Sequence, residues 1–185
     1  MSILIFNGAQ ESSNLSTSSC ITTHLKNQLE ISGLEINIFN LQQEMIPPFD
    51  YQAEVPESVK RMCDLFTSSS LQIWLSPLYH GGMPGMMKNC LDWLEITCKN
   101  ESPYLTDQLV AFICWSQGIQ AMQGINNMEA VAKALRAWIL PYSIPVKRAD
   151  IFEEGTRNLT QDLSQRLNLM SQLLLENADR FKQHK

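Results

Sequence analysis

Strand-like and helix-like segments alternate from one end of this 185-residue chain to the other, which predicts an α/β protein with a parallel sheet covered on both faces. Two further observations support that class. Residues 71–75 and 109–115 are nearly continuous apolar runs, as strands buried on both sides require. The segments between strands repeat apolar residues at three- and four-residue steps, the period of an amphipathic helix. No proline-, glycine- or charge-rich linker and no internal repeat interrupts the pattern, so residues 1–185 are read as one domain.

Residues 2–6 form the first expected strand, followed by a polar loop over 7–16. Ile21, Leu25 and Leu29 mark a helix stopped by Gly33. Apolar and polar residues alternate over 34–39, the second strand. A loop through Ile46-Pro47-Pro48-Phe49-Asp50 leads to a helix over 56–68, with Val59, Met62, Cys63 and Phe66 on one side. Residues 71–75 are the third strand. The next helix starts near Pro84, whose fixed φ and missing N–H suit a first turn, and carries Met87, Cys90, Leu91 and Leu94. Residues 109–115 are the fourth strand. A long loop over 116–126 is expected before a helix containing Ala130, Ala134, Leu135 and Trp138. Residues 145–152 supply the fifth strand, and a helix from about 158 carries Leu159, Leu163, Leu167, Met170 and Leu174. Crossovers between parallel strands are right-handed by default. For five strands the expected arrangement is a flavodoxin-like three-layer sandwich with sheet order 2-1-3-4-5.

Hydrophobic residues make up 44% of the chain and charged residues 18%, a globular balance. The net charge of −5 argues against nucleic acid as a partner, because that interaction runs on phosphate neutralisation. No apolar run approaches the ~20 residues needed to cross a bilayer, so no membrane partner is expected. The first residues lack a basic head and read as a strand rather than a signal peptide. The five cysteines (Cys20, Cys63, Cys90, Cys98 and Cys114) are irregularly spaced without a C-x-x-C pair. That argues against a disulfide framework or zinc site and for a reducing, cytoplasmic setting. His24, His80 and His184 are scattered, and no metal ligands are expected. Dinucleotide, P-loop, zincin and nucleophile-elbow fingerprints are all missing.

In a 2-1-3-4-5 sheet the order reverses between the first and third strands, so the loops after them face one crevice. The first of these loops, with Gly8, Ser12, Ser13, Asn14, Ser16 and Thr17, ends at a helix start. Free backbone N–H groups and the positive dipole end suit a phosphate there. The same residue types are also ordinary helix N-caps. The opposite wall is Pro77, Leu78, Tyr79, His80 and Gly81, with Gly82 beside them. Tyr79 and His80 can lie along a flat ring, and the glycines let backbone approach it; a surface aromatic and a solvated histidine are the plain alternative. Ser116, Gln117 and Gly118 can reach the ligand's edge. Met83, Met86 and Met87 read as core or interface filling, Trp115 likewise, and Glu153-Glu154 as a solvated turn.

The run from Ser76 to Leu94 resembles the pattern S-P-x-Y-[HN]-G-[SG]-x-P/S-G-x-[LM]-K-N-x-[LI]-D-W of the NADPH-dependent FMN reductase family, which includes flavodoxin-like quinone and azo-dye reductases. Ile46-Pro47-Pro48-Phe49-Asp50 resembles the family's loop after the second strand, and Ala132-Lys133-Ala134-Leu135-Arg136 its helix after the fourth, so the resemblance spans residues 2–152. It implies FMN with its phosphate in the 8–17 loop and its ring against residues 77–82. It also implies hydride transfer from NADPH or NADH to flavin N5, and then to a small-molecule electron acceptor: a quinone, azo compound, metal oxyanion or free flavin. No side chain is then an acid or base catalyst. Backbone N–H groups near Gly81 and Gly118 would stabilise negative charge on the reduced ring. A homodimer or homotetramer packed near the helix from Pro84 is implied too. Two departures stand out. The family's first loop usually reads G-S-x-R, with an arginine for the phosphate, whereas here it reads Gly8-Ala9-Gln10-Glu11; the third loop has Gly118 and Gly124 separated instead of paired. Two other readings stay open: a flavodoxin-type electron carrier, and a cofactor-free binding protein of the same fold.

Overall fold

The computed structural model describes residues 1–11 and 13–181. Strands β1 (Ser2–Asn7), β2 (Glu35–Asn40), β3 (Leu71–Pro77) and β4 (Leu109–Ser116) alternate with helices α1 (Thr17–Leu29), α2 (Glu57–Ser68), α3 (Gly85–Trp93) and α4 (Ala121–Ala134). Two short strands, β5 (Trp138–Ile139) and β6 (Ile144–Lys147), and helix α5 (Gln161–Glu176) complete the described chain. The sheet is parallel, in the order β2-β1-β3-β4-β5, with β6 also on β4.

Side-chain alternation along the buried strands sorts the core into two layers. Ile3 and Ile5 of β1 and Leu71, Ile73 and Leu75 of β3 pack with Ile21, Leu25 and Leu29 of α1 and with Leu163, Leu167 and Met170 of α5. Leu4, Phe6 and Trp74 face the other way, onto Val59, Met62 and Phe66 of α2, Met87 and Leu91 of α3, and Met128 of α4. Phe6, Phe66 and Trp74 meet edge-on at centroid separations of 4.9–6.5 Å, the geometry that aligns ring edges with ring faces. Two glutamines are buried among them. Gln72 donates to Phe66 O at 2.8 Å and accepts from Trp74 Nε1, while Gln108 donates to Thr67 O, so their polar atoms are hydrogen-bonded in the dry layer.

Three expectations are corrected. The fifth strand is not a run over 145–152: β5 pairs with Leu109 and Val110, and β6 pairs with residues from Ile113 to Ser116. Pro141, which lacks an N–H for the ladder, sits between them in a tight turn closed by Tyr142 N–H on Leu140 O at 2.7 Å. The loop after β4 is not long either. Only residues 117–120 separate β4 from α4, and Gly124 lies inside the helix, where a Cβ would fall 2.3 Å from Cys114 Sγ. That glycine reads locally as a loop signal, yet here it lets α4 lie close on β4. At the far end α4 stops at Ala134 rather than continuing through Trp138: Arg136 takes φ +69° and Ala137 N–H reaches Ala132 O at 3.0 Å, a Schellman-type closure that turns the chain into β5.

Candidate active site at the carboxyl ends of β1, β3 and β4

The three loops expected to gather do so. β1, β3 and β4 are adjacent in the sheet and end together, and the ladder continues past β3 where Leu78 N–H bonds Trp115 O at 2.8 Å. The β1 loop is tied to its neighbour by Gly8 N–H on Leu75 O at 2.9 Å. Gly8 is required by packing: a Cβ there would lie 2.3 Å from Met87 Sδ of α3.

After β3 the chain makes a two-residue hairpin turn. Tyr79 and Gly82 exchange both backbone hydrogen bonds at 3.0 Å, and the two residues between them, His80 and Gly81, have φ of +50° and +87°. Positive φ at both central positions is the type I′ turn, for which glycine at the second position is well suited. Tyr79 is 54% exposed at its lip. One side chain of α4 braces the end of this turn and a second lies beside it, and the sequence did not single them out. Asn127 Oδ1 accepts Met83 N–H at 3.2 Å, and Gln123 Oε1 lies 3.7 Å from where a Gly81 Cβ would be. Their four-residue spacing puts them on one helix face, the signal that could have found them. In the loop after β4, Ser116 Oγ donates to Gly118 O at 2.7 Å, shaping the turn rather than facing outward, while Gln117 is exposed.

The longest motif in the sequence holds the wall together. Asn89 Oδ1 accepts Phe49 N–H at 2.7 Å, and Asn89 Nδ2 and Trp93 Nε1 both donate to Pro47 O at 2.8 Å. Phe49 meets the Trp93 ring edge-on at 5.1 Å. The K-N-x-L-D-W segment therefore clamps the loop after β2. Met83 and Met87 are buried in the core.

The β1 loop closes on α1. Ser16 is the N-cap, its hydroxyl accepting Ser19 N–H at 3.2 Å, and Ser13 supplies a local turn through Leu15 N–H on its hydroxyl. Asn14 is exposed, and Ser12 lies outside the described residues. Thr17, the first residue of α1, is 2% exposed and its hydroxyl has no partner. Ser18 N–H is bonded to Glu11 Oε2 at 3.1 Å. Burial pushes the nearby Cys20 thiol up, with Arg157 opposing and Glu11 adding to the shift. Cys63, Cys90 and Cys114 are pushed up to about 12, chiefly by burial, so none of the three offers a nucleophile at neutral pH. Among the described residues no cluster of three or more His, Cys, Asp or Glu could hold a metal, and no helix is long and apolar enough to cross a membrane.

A cavity of about 1100 Å³ lies elsewhere, lined by Leu109, Trp138, Leu140, Tyr142, Leu173 and Phe181. Leu109 opens β4 and Trp138 opens β5, so this hollow flanks the amino ends of those strands. In parallel sheets the ligand site forms at the carboxyl ends, where the order reverses, and volume alone does not outweigh that placement.

Fold and topology place the molecule in the flavodoxin-like class, with the order of its sheet reversing between β1 and β3. The chain belongs to the NADPH-dependent FMN reductase family, whose sequence profile matches residues 1–149. It is 27% identical over 156 residues to the NADPH-dependent FMN reductase ArsH of Rhizobium meliloti (strain 1021), covering 84% of this chain and 62% of that protein. It is 22% identical over 154 residues to an FMN-dependent NADPH-azoreductase of Staphylococcus aureus, covering 80% and 77%. The chain spans only about three-fifths of the length of the ArsH relatives, 62% and 59%. Among solved structures the fold matches the flavoenzyme NAD(P)H:(acceptor) oxidoreductase FerB of Paracoccus denitrificans with a TM-score of 0.74 at 17% identity, over 97% of this chain and 98% of that one. An FMN-dependent NADH-azoreductase of Bacillus anthracis in complex with FMN matches with a TM-score of 0.65 at 16% identity, again over 97% and 98%.

FMN with a nicotinamide donor is the cofactor set of that family; the loops after β1 and β3 are joined by Gly8 N–H on Leu75 O, but at the start of α1 the Ser18 amide is already held by Glu11. In the turn at residues 79–82 the absent Cβ atoms of Gly81 and Gly82 let the backbone lie close against Gln123 and Asn127 of α4. The unpartnered, buried Thr17 hydroxyl at the start of α1 is a donor suited to an anionic tail.

Proposed function

We propose that this chain is an NAD(P)H-dependent flavin oxidoreductase that passes reducing equivalents to a small-molecule acceptor such as a quinone, azo compound, metal oxyanion or free flavin. The observation that carries the reading is the pre-set I′ turn at residues 79–82, set beside the β4 loop at the order reversal of a sheet in a chain of this family. When bound, FMN supplies the hydride chemistry, accepting from nicotinamide and donating onward. The protein's part is orientation. Pro77, Leu78, Tyr79, His80 and Gly81 back the ring, Ser116, Gln117 and Gly118 border its edge, and Gly8, Ser12, Ser13, Asn14, Ser16 and Thr17 receive the tail. The N–H groups around Gly81 and Gly118 hold negative charge at the ring, where fixed dipoles need no reorganisation.

The working unit is a homodimer in this reading. Leu15, Met45, Tyr51, Tyr79, Ile119 and Met122, all exposed, rim the carboxyl end of the sheet, an apolar edge suited to a second copy. The reducing cytoplasm remains the proposed setting. The test is direct: protein loaded with FMN should oxidise NADPH or NADH in the presence of a quinone, and lack of any turnover with either donor and a panel of quinone and azo acceptors would refute it.

A further inference from the structure

The seat that an anionic tail needs at α1 is already taken. Glu11 Oε2 accepts Ser18 N–H at 3.1 Å, from seven residues earlier in the chain, so the carboxylate folds back over the loop onto the first turn of the helix. A carboxylate and a phosphate are alike in this position: both are anionic oxygen acceptors favoured by the helix's positive end. Thr17 next to Ser18 keeps a buried hydroxyl with no partner, so the same turn retains one donor and gives up one amide. Among the described residues Glu11 has no ion-pair partner. Arg157, the cation that acts on neighbouring Cys20, is stacked over the Phe152 ring at 5.0 Å.

A phosphorylated tail entering this loop must lift Glu11 from Ser18 and then share one helix end with it. A neutral ribityl tail needs neither step. We propose that Glu11 is the specificity-determining residue for the flavin tail: it serves as an internal substitute for the phosphate, and the site therefore holds unphosphorylated flavin at least as tightly as FMN. The proposal rests on the flavin-binding reading above and assigns to one side chain the choice between two flavins that share a ring.

Titration of flavin fluorescence with wild type and Glu11→Gln tests it without any turnover. Glutamine keeps the length and an acceptor for Ser18 N–H but removes the charge. The expected result is a wild-type Kd for riboflavin equal to or below that for FMN. In Glu11→Gln, FMN should bind about tenfold tighter or more, with riboflavin changed less than about twofold. Glu11→Lys, a second variant that adds a cation, should tighten FMN relative to wild type and carries the test if the glutamine variant misfolds by circular dichroism. A wild type that prefers FMN by about a hundredfold, with that preference unmoved in both variants, would overturn the proposal and leave the proposed function intact. Failure of every form to bind either flavin would overturn both.

Discussion

Two loops meet at the same end of the sheet and are built on opposite principles. The turn after β3 is made of backbone: reciprocal Tyr79–Gly82 bonds, positive φ at His80 and Gly81, and a brace from α4. Its shape is set by backbone conformation and survives most changes of side chain. The loop after β1 is made of side chains: a serine cap, a carboxylate folded back onto a helix amide, and a buried hydroxyl left without a partner. In the proposed reading the ring side is therefore set by backbone conformation. The tail side is where this chain can differ from its relatives.

Alkaline pH should break the comparison most severely. Cys63, Cys90 and Cys114 lie in the layer beneath the β3 turn, and all three thiols are raised to about 12. A raised pKa means that their stabilising contribution is complete below the unfolded value and is lost as pH climbs toward the folded one. Stability should fall above pH ~9 by about 1.4 kcal/mol per pH unit for each thiol. Denaturant midpoints measured between neutral and strongly alkaline pH check this, and a flat profile up to pH ~11 would contradict the burial.

Trp93→Ala comes next. It removes a fully packed indole together with its bond to Pro47 O, and should cost about 3–5 kcal/mol while freeing the loop after β2, read by urea denaturation and proteolysis within residues 46–50. Gly81→Val forces a β-branched residue into φ +87° and should cost about 1–2 kcal/mol, weakening both FMN and riboflavin because it distorts the shared ring wall. Thr17→Val should separate stability from binding. Removing a buried hydroxyl without a partner should stabilise the flavin-free protein by about 1 kcal/mol, yet weaken FMN more than riboflavin. A destabilised Thr17→Val would show that the hydroxyl is satisfied.

Much of this was legible in residue patterns. The β1, β3 and β4 runs, buried on both faces, and the stripes of α1, α2 and α5 carry the layer order, because burial period is a local property. The β3 turn was legible too, since positive φ leaves a Gly in the chain. What escaped was decided by distant partners. Gly124 gave a loop signal for a helix packed on Cys114, and Trp138 continued a helical stripe that Arg136 had already ended. Glu11 announced a missing cation, but only folding shows its carboxylate turned onto Ser18 instead of into solvent.

The most direct measurement is one flavin titration on three proteins: wild type, Gly81→Val at the β3 turn, and Trp138→Ala at the 1100 Å³ cavity beside the amino ends of β4 and β5. Saturable quenching that is lost in Gly81→Val and retained in Trp138→Ala is the predicted result. Retention in Gly81→Val with loss in Trp138→Ala would contradict it, and would move the flavin to the other end of the sheet.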